Sequence, residues 1–443
     1  MTSQGQSSVV WSAAFLVLVA AGAGAQTPLA LRLTVEDAQA RALAASHRLA
    51  EARAREAAAR SVVLSREAAD RPTITGSGGY TRTNHVIPFT VPGSTGVPVV
   101  IYPDVPSNYL ARVNLQWPIY SGGRTDALER AARADADATA AELAMAQADL
   151  RLEVARAYWA VVTARATVVV LEQGVARARA HVADVRERFD AGLVPPNEIA
   201  SAEAQESRAR MLLIEAQNQR DVSLADLARL TGLDPSQPVE PAAELKGSGD
   251  VLSVETLVES ARASRDERRA MLLRIDAADE QRQAAAAGRR PTVGVVGGFD
   301  YARPNPRIFP RTDEWQRWWE LGINVNWVFW DGGRTAADVA TLTSLASVAR
   351  HRLAEFDSVL SVEVRQRTLE IESGRAAVAA AEDAIRAATE ARRVVTERYR
   401  VGVATQTEVL DAELALLQSE LDRTRALAGV RLAEARLARA VGR

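Results

Sequence analysis

The chain contains one segment twice, and this internal duplication restricts the possible fold more than any other feature. Asn114–Thr125 (NLQWPIYSGGRT) returns as Asn324–Thr335 (NVNWVFWDGGRT). Further along, Gly192 returns as Gly402, again 210 positions later. Two unrelated helical segments would not keep a constant spacing over such a length. The sequence therefore predicts two internal structural repeats.

The duplication continues upstream at a spacing of 219, where Arg71-Pro72-Thr73 matches Arg290-Pro291-Thr292. The extra residues of the first copy fall in a proline-rich run at 83–108, which is typical of a surface loop. The predicted order is a signal peptide (1–25), repeat 1 (26–233), a linker (234–251) and repeat 2 (252–443). Repeat 1 is predicted to contain helix 34–70, strands 73–84 and 109–120, long helix 124–190, tip 191–197 and helix 198–230. Repeat 2 is predicted to contain helix 253–289, strands 292–302 and 320–330, long helix 334–400, tip 401–407 and helix 408–441.

The N-terminus resembles a secretory signal peptide. An apolar run at 9–20 is followed by small residues at the −3 and −1 positions before Gln26, which predicts cleavage after Ala25. The alternative is a membrane anchor, but the run is short for a span of roughly 20 residues. No basic residue precedes the run. Because the chain has no cysteine, a lipid anchor after the cleavage site is excluded.

Composition argues against several functional classes. The net charge is −2, which does not favour a nucleic-acid partner. The absence of cysteine excludes thiol catalysis and thiolate metal sites. The four histidines are scattered, and neither a phosphate loop nor a nucleophile elbow is present. We therefore expect no enzyme activity, no catalytic residues, no metal and no cofactor.

Four short segments alternate between apolar and polar residues, which predicts strands with one apolar face. Aromatic residues gather at the strand ends, as in the girdle of a membrane barrel: Trp117, Tyr120, Trp327 and Trp330. A soluble antiparallel sheet packed on helices has the same alternation. The strands alone do not decide between these two structures.

Each repeat is also predicted to contain one long helix. The segment 124–190 contains no proline, and its valines recur every seven residues from Val154 to Val182, which indicates a coiled-coil seam. Each repeat then returns through a second helix and so forms a long helical hairpin. Two strands per repeat give four per chain, too few to close a membrane barrel. A barrel would need several chains, and three chains would supply twelve strands and twelve rods.

These features resemble the TolC-like outer-membrane efflux protein family over nearly the whole mature chain. The resemblance rests on the duplication, on the Trp-x-x-x-x-Gly-Gly-Arg motifs at 117–124 and 327–334, and on the tip motifs near Gly192 and Gly402. It implies an α+β, mostly α, homotrimer in which an outer-membrane β-barrel continues into an antiparallel α-helical coiled-coil tunnel across the periplasm. The implied function is a passive exit duct of a tripartite efflux or type I secretion system. A periplasmic adaptor and an inner-membrane pump of the RND, ABC or MFS type would be its partners.

The resemblance also assigns roles to residues of the tips. Glu408 and Asp411 match an acidic pair that forms carboxylate rings near the closed periplasmic end and favours cations there. Glu198 and Tyr399 match positions that link neighbouring helices and help to close the tip. A basic residue of the family's closing network falls on Ala404, so this chain departs from the pattern there.

The tips are the expected binding surface for the adaptor, and their residues are Gly192, Leu193, Val194, Gly402, Val403 and Ala404. The two glycines also have a purely structural explanation, because a helix commonly ends on a left-handed glycine. An alternative function for the whole chain remains open at this point. It is a non-channel coiled-coil protein with a structural or interaction role in the cell envelope.

Overall fold

The computed structural model describes residues 31–234, 237, 239–244 and 253–442. The predicted signal peptide (1–25) therefore lies outside the described residues. Within them the chain forms eight α-helices: α1 (Val35–Ala45), α2 (His47–Glu67), α3 (Arg124–Asp190), α4 (Pro196–Thr231), α5 (Val254–Ser264), α6 (Asp266–Ala286), α7 (Arg334–Arg400) and α8 (Gln406–Ala440). It also forms eight strands: β1 (Leu31–Leu33), β2 (Thr73–Arg82), β3 (Phe89–Pro92), β4 (Pro98–Tyr102), β5 (Ser107–Tyr120), β6 (Val239–Pro241), β7 (Thr292–Arg303) and β8 (Gln316–Asn326).

Each predicted upstream helix is broken into two. The predicted helix 34–70 divides at Ser46, and the helix 253–289 divides at Arg265. Both residues have extended backbone, and the Ser46 hydroxyl accepts a hydrogen bond from the Leu49 amide at 3.3 Å. A serine that caps a new helix competes with the continuous helical ladder, which explains the first break. Short 3-10 turns, Ala68–Asp70 and Ala287–Arg289, complete the two segments.

The helices α3 and α7 are 67 residues each, which corresponds to rods of about 100 Å. The seam of α3 from Val154 to Val182 is buried. Helix α3 packs along α2, α4, α6 and α8, while α7 packs along α6 and α8. Among the described helices, only α3 is long and apolar enough to cross a membrane, and half of its most apolar stretch is buried in the chain. Packing against other helices accounts for that composition.

The predicted linker is partly ordered into a strand. Within 234–251, β6 pairs in parallel with β1, with Leu31 opposite Val239. The buried Tyr158 of α3 fixes this pair, because its hydroxyl donates to the Leu33 carbonyl at 3.0 Å and accepts from the Ala243 amide at 3.0 Å. This part of the linker is therefore docked on the main helical core.

The main sheet has four antiparallel strands in the order β2-β5-β7-β8. The strand predicted at 320–330 lies earlier, at 316–326, so Trp327 and Trp330 follow the strand instead of ending it. A separate hairpin of β3 and β4 lies in the proline-rich segment, where no strand was predicted. In this chain β2 and β8 each have one unpaired edge.

The register divides the sheet into an apolar and a polar face. One face carries mostly apolar side chains in aligned rows: Ile74, Tyr80, Val113, Leu115, Trp117, Val295, Phe299, Trp319, Leu321 and Ile323. The other face carries mostly polar and charged ones, together with Leu110, Val296 and Trp318: Ser77, Arg112, Asn114, Gln116, Asp300, Glu320 and Asn324. Leu321 is 67% exposed and Ile323 is 73% exposed. None of the eight described helices covers the apolar face of β8, which is unlike a soluble sheet packed on helices.

Candidate functional site

Both long helices end in the same tight motif. At the end of α3, Gly192 has φ 73°, and the Leu193 amide donates to the Arg188 carbonyl at 2.9 Å. At the end of α7, Gly402 has φ 76°, and the Val403 amide donates to the Arg398 carbonyl at 2.8 Å. These are Schellman caps, in which a left-handed glycine reverses the chain. The tips are shorter than predicted, at 191–195 and 401–405, because α4 begins at Pro196 and α8 at Gln406. Proline is favourable in the first turn of α4, since its missing N–H needs no partner there.

The structure brings Tyr399 and Glu198 together. The Tyr399 hydroxyl donates to Glu198 Oε2 at 3.0 Å and so joins the end of α7 to the start of α4. Tyr399 is only 5% exposed. Burial, followed by the bond to the Glu198 carboxylate, raises the pKa of Tyr399 to about 12. The phenol therefore remains a proton donor at neutral pH.

Arg188 supplies a positive charge in this network. Its guanidinium lies 4.4 Å from the centre of the Tyr399 ring, and its Nη1 donates to the Tyr399 carbonyl at 3.0 Å. Its Nε also donates to Asp184 at 3.2 Å. Ala404 offers no charge, and the cation that lies over Tyr399 comes from α3. A cation over an aromatic face is stabilised by the ring quadrupole.

Two further side chains complete the contact between the tips. Gln406 is buried, and its Nε2 donates to the Glu198 carbonyl at 2.8 Å. The His181 ring lies 6.0 Å from the Tyr399 ring, and its buried Nε2 has no hydrogen-bond partner among the described residues. Burial lowers the pKa of His181. The imidazole is therefore neutral at neutral pH.

Sequence reasoning missed Arg188, Gln406 and His181 as parts of this network. A comparison of the two halves at the 210-residue spacing contains a signal for Gln406 but none for Arg188, which corresponds to Arg398. Tyr399 corresponds to Phe189 and Gln406 to Pro196, so only the second half carries the two polar groups. An asymmetry between matched positions could have indicated a contact made by one half alone.

Glu408 and Asp411 lie in the first two turns of α8, and both are exposed. The Glu408 amide is capped by the Thr405 hydroxyl at 3.3 Å. Neither carboxylate forms an ion pair with another described residue. They do not contact Tyr399, so the chain separates the contact between the tips from the free acidic pair.

The remaining tip residues form an exposed apolar surface. Leu193 is 72% exposed and Val403 is 64% exposed. Val194 is half-buried and packs against a small core that includes Val185 and Ala202. Ala404 is half-buried, whereas Gly192 and Gly402 are exposed. Within the part of the chain that the structure describes, no cluster of three or more acidic or histidine side chains could hold a metal ion.

The aromatic residues at the helical end of the sheet are exposed but also fix the sheet to the helices. The Trp117 indole donates to the Asp70 carbonyl at 3.1 Å, and the Trp327 indole donates to the Arg289 carbonyl at 3.0 Å. Each bond joins the sheet to the 3-10 turn that precedes it. Tyr120 and Trp330 are also exposed.

Comparisons with known proteins agree with this architecture. The family model described as outer membrane efflux protein matches residues 39–233 and 257–443. The outer membrane protein TolC of Vibrio cholerae is 24% identical over 336 residues, which cover 75% of this chain and 76% of TolC. Protein CyaE of Bordetella pertussis is 33% identical over 134 residues, and that match covers 30% of this chain and only 28% of CyaE.

A solved structure shows the same fold. The outer membrane protein VceC of Vibrio cholerae superposes with a TM-score of 0.77 over 92% of this chain and 96% of that chain, at 20% identity. The family model covers most of the chain in two adjoining matches. The chain belongs to the outer membrane efflux protein family and is an outer-membrane protein.

Proposed function

We propose that the chain is a passive exit duct of a tripartite efflux or type I secretion system. In this proposal three copies form one outer-membrane β-barrel of twelve strands, which continues into a tunnel of α-helical coiled coils across the periplasm. The observation that carries the proposal is the four-stranded sheet, which has two unpaired edges and an uncovered apolar face. Unpaired backbone groups are not tolerated in lipid, so the edges must pair with further strands.

The geometry of the sheet suggests how the copies join. The strand β8 of one copy would pair with β2 of the next, and the apolar face would then contact lipid all round. The polar face would line a water-filled passage. A non-channel coiled-coil protein of the cell envelope, the alternative, gives no reason for ten large apolar side chains on one uncovered face.

The helical tips support a role in assembly with other proteins. The exposed Leu193 and Val403 lie at the far end of rods of about 100 Å. We propose that these tips, with Gly192, Val194, Gly402 and Ala404, bind the helical hairpins of a periplasmic adaptor. The adaptor would connect the duct to an inner-membrane pump of the RND, ABC or MFS type.

The tip end of the duct would have two separate features, one that favours the closed state and one that attracts cations. Within each copy, the bond from Tyr399 to Glu198 and the stacked Arg188 join the two tips. Between copies, three Glu408 and three Asp411 side chains would surround the axis and attract cations. Their exposure and their lack of ion pairs with described residues fit a surface that faces water in the single chain.

The test of the duct is the mass of the detergent-extracted protein, together with its conductance in a planar lipid bilayer. We expect a trimer with small, mostly closed, cation-preferring currents. A water-soluble monomer or dimer without conductance would contradict the proposal and favour the coiled-coil alternative.

The acidic pair is tested by replacing Glu408 and Asp411 with alanine in the same assay. We expect weaker cation preference and weaker block by multivalent cations, because the charges at the constriction are gone. Glu397→Gln is a control that removes an exposed carboxylate from α7 near the same tip. Unchanged selectivity and block in the double variant would show that the pair does not line the constriction.

A further inference from the structure

The loop between β7 and β8 folds back onto the polar face of the sheet. Asn305 is completely buried at the start of this loop. Its Nδ2 donates to the Gln316 carbonyl at 3.0 Å, and its Oδ1 accepts from the Arg307 amide at 2.9 Å. This asparagine closes the base of the loop and directs the following residues over the strands.

Arg307 then reaches the strands themselves. Its Nη1 and Nη2 donate to the two carboxylate oxygens of Glu320 at 3.0 and 2.9 Å. Its Nε lies 3.9 Å from Asp300 Oδ2. Glu320 lies over Gly298, where a side chain would approach its carboxylate to 3.3 Å. A bidentate arginine–carboxylate pair has a fixed geometry, so Arg307 holds the loop in one place.

The carboxylate of Asp300 belongs to the same network. Arg112 of the neighbouring strand donates to it through Nε at 2.6 Å and Nη2 at 2.7 Å. Asp300 is only 3% exposed, although it lies on the polar face of an otherwise open sheet. Four charged groups, from three strands and the loop, are therefore joined in one network.

The second loop of the sheet joins this assembly. The Arg311 amide donates to the Ile101 carbonyl of β4 at 3.3 Å, and its guanidinium lies 4.8 Å from the centre of the Tyr102 ring. The hairpin of β3 and β4 is thus fixed to the loop at 304–315. Both loops lie at the end of the sheet that is distant from the helices.

We propose that Arg307 is a latch that holds the start of the loop 304–315 on the polar face and so forms a second constriction, at the loop end of the passage. This inference rests on the proposed function, because the polar face lines a passage only when the sheets close into a barrel. In the trimer, three latched loops narrow the mouth that opens away from the helical tunnel. Arg307 and Glu320 then control access from outside the cell, independently of the tips.

The chain has no cysteine, so a single engineered thiol can report access. Gln116→Cys places this thiol on the polar face, toward the helical side of the charged network. The probe is a membrane-impermeant maleimide with a polyethylene glycol chain, added to intact cells, and the measurement is its rate of reaction. With Arg307→Gln we expect the rate to rise about fivefold. The variant lacks the exposed ion pair that favours the closed loop, so the open loop becomes more populated.

Arg303→Gln is the matched control. Arg303 pairs with Asp313 in the same loop at 2.9 and 3.1 Å, and the two side chains are 40% and 51% exposed, against 41% and 51% for Arg307 and Glu320. Arg303 lies opposite Tyr109, in the row of the apolar face. Its replacement removes the same charge beside the loop, on the face away from the passage, and should leave the labelling rate unchanged.

A second variant shows whether an effect of Arg307→Gln comes from the lost ion pair or from misfolding. Glu320→Ala removes the partner of the latch from β8 and should accelerate labelling as Arg307→Gln does. Equal rates in the parent, Arg307→Gln, Glu320→Ala and Arg303→Gln would overturn the inference. Failure of the duct itself is recognised separately, by the absence of a conducting trimer in the detergent-extracted parent protein.

Discussion

At the scale of single residues, one hydroxyl distinguishes the two tips of the chain. Tyr399 is buried and bonded to Glu198, while its counterpart Phe189 is 39% exposed and cannot donate. The contact between α7 and α4 is therefore made once per chain. A duplicated scaffold has acquired an asymmetric contact through a few substitutions at matched positions.

Tyr399→Phe should loosen the tip while preserving its packing. A hydrogen bond of this kind contributes about 1 kcal/mol, and its loss leaves the Glu198 carboxylate without that donor. We expect about a fivefold rise in the ratio of open to closed channels in single-channel recordings. Tyr158→Phe is the control, because it removes a buried hydroxyl from the core around α1 and α3. It should lower stability without changing the open fraction, and equal effects of both variants would contradict a role specific to the tip.

His181 makes the same region sensitive to acid. The charged groups around it are Asp184 and Arg188 of α3, Glu198 of α4 and Glu413 of α8, and Tyr399 of α7 packs beside it. The carboxylates favour protonation, but burial outweighs them and lowers the pKa below its ordinary value of 6.5. A depressed pKa contributes stability above pH 6.5, and this contribution is lost as the pH falls through the folded-state pKa.

We therefore expect the tip of the parent protein to open more readily as the pH falls from about 7.5 to about 5.5. His181→Gln, which stays neutral, should reduce this dependence, measured as the open fraction of single channels at the two pH values. His351→Gln replaces an exposed histidine of α7 and should behave as the parent does. An acid response of the same size in His181→Gln would assign it to other groups.

At the scale of elements, the sequence indicates the long helices more clearly than the short ones. The helices α3 and α7 coincide with the segments 124–190 and 334–400, since Gly123 and Gly333 precede them and Gly192 and Gly402 follow them. The breaks at Ser46 and Arg265 could not be predicted from periodicity, because the apolar pattern continues through them.

The sheet shows the same division between local pattern and tertiary context. Alternation predicted strands and their faces, but the strand at 316–326 begins with Gln316 followed by four charged or aromatic residues in succession, which conceals its start. The indole bonds of Trp117 and Trp327 join residues far apart in sequence, so no local signal shows them. The tip contact of Arg188 with Tyr399 is hidden for the same reason.

At the scale of the whole molecule, the sheet of one chain is incomplete. In the proposed trimer its edges would pair with further chains and its apolar face would contact lipid, whereas the helical part buries its own seams. Under this proposal the stability of the sheet depends on assembly. A substitution on the apolar face should therefore act on insertion and trimer formation before it acts on the helices.

Two adjacent residues of β8 test this dependence. Ile323 is 73% exposed on the apolar face, and Asn324 is exposed on the polar face. A lysine facing lipid near the middle of the membrane costs about 2–4 kcal/mol, and a trimer would carry three of them. We expect Ile323→Lys to abolish the assembled trimer in the outer-membrane fraction, measured by its mobility without heating, and Asn324→Lys to assemble normally. Equal assembly of the two variants would mean that the apolar face does not meet lipid, because only the direction of the side chain differs between them.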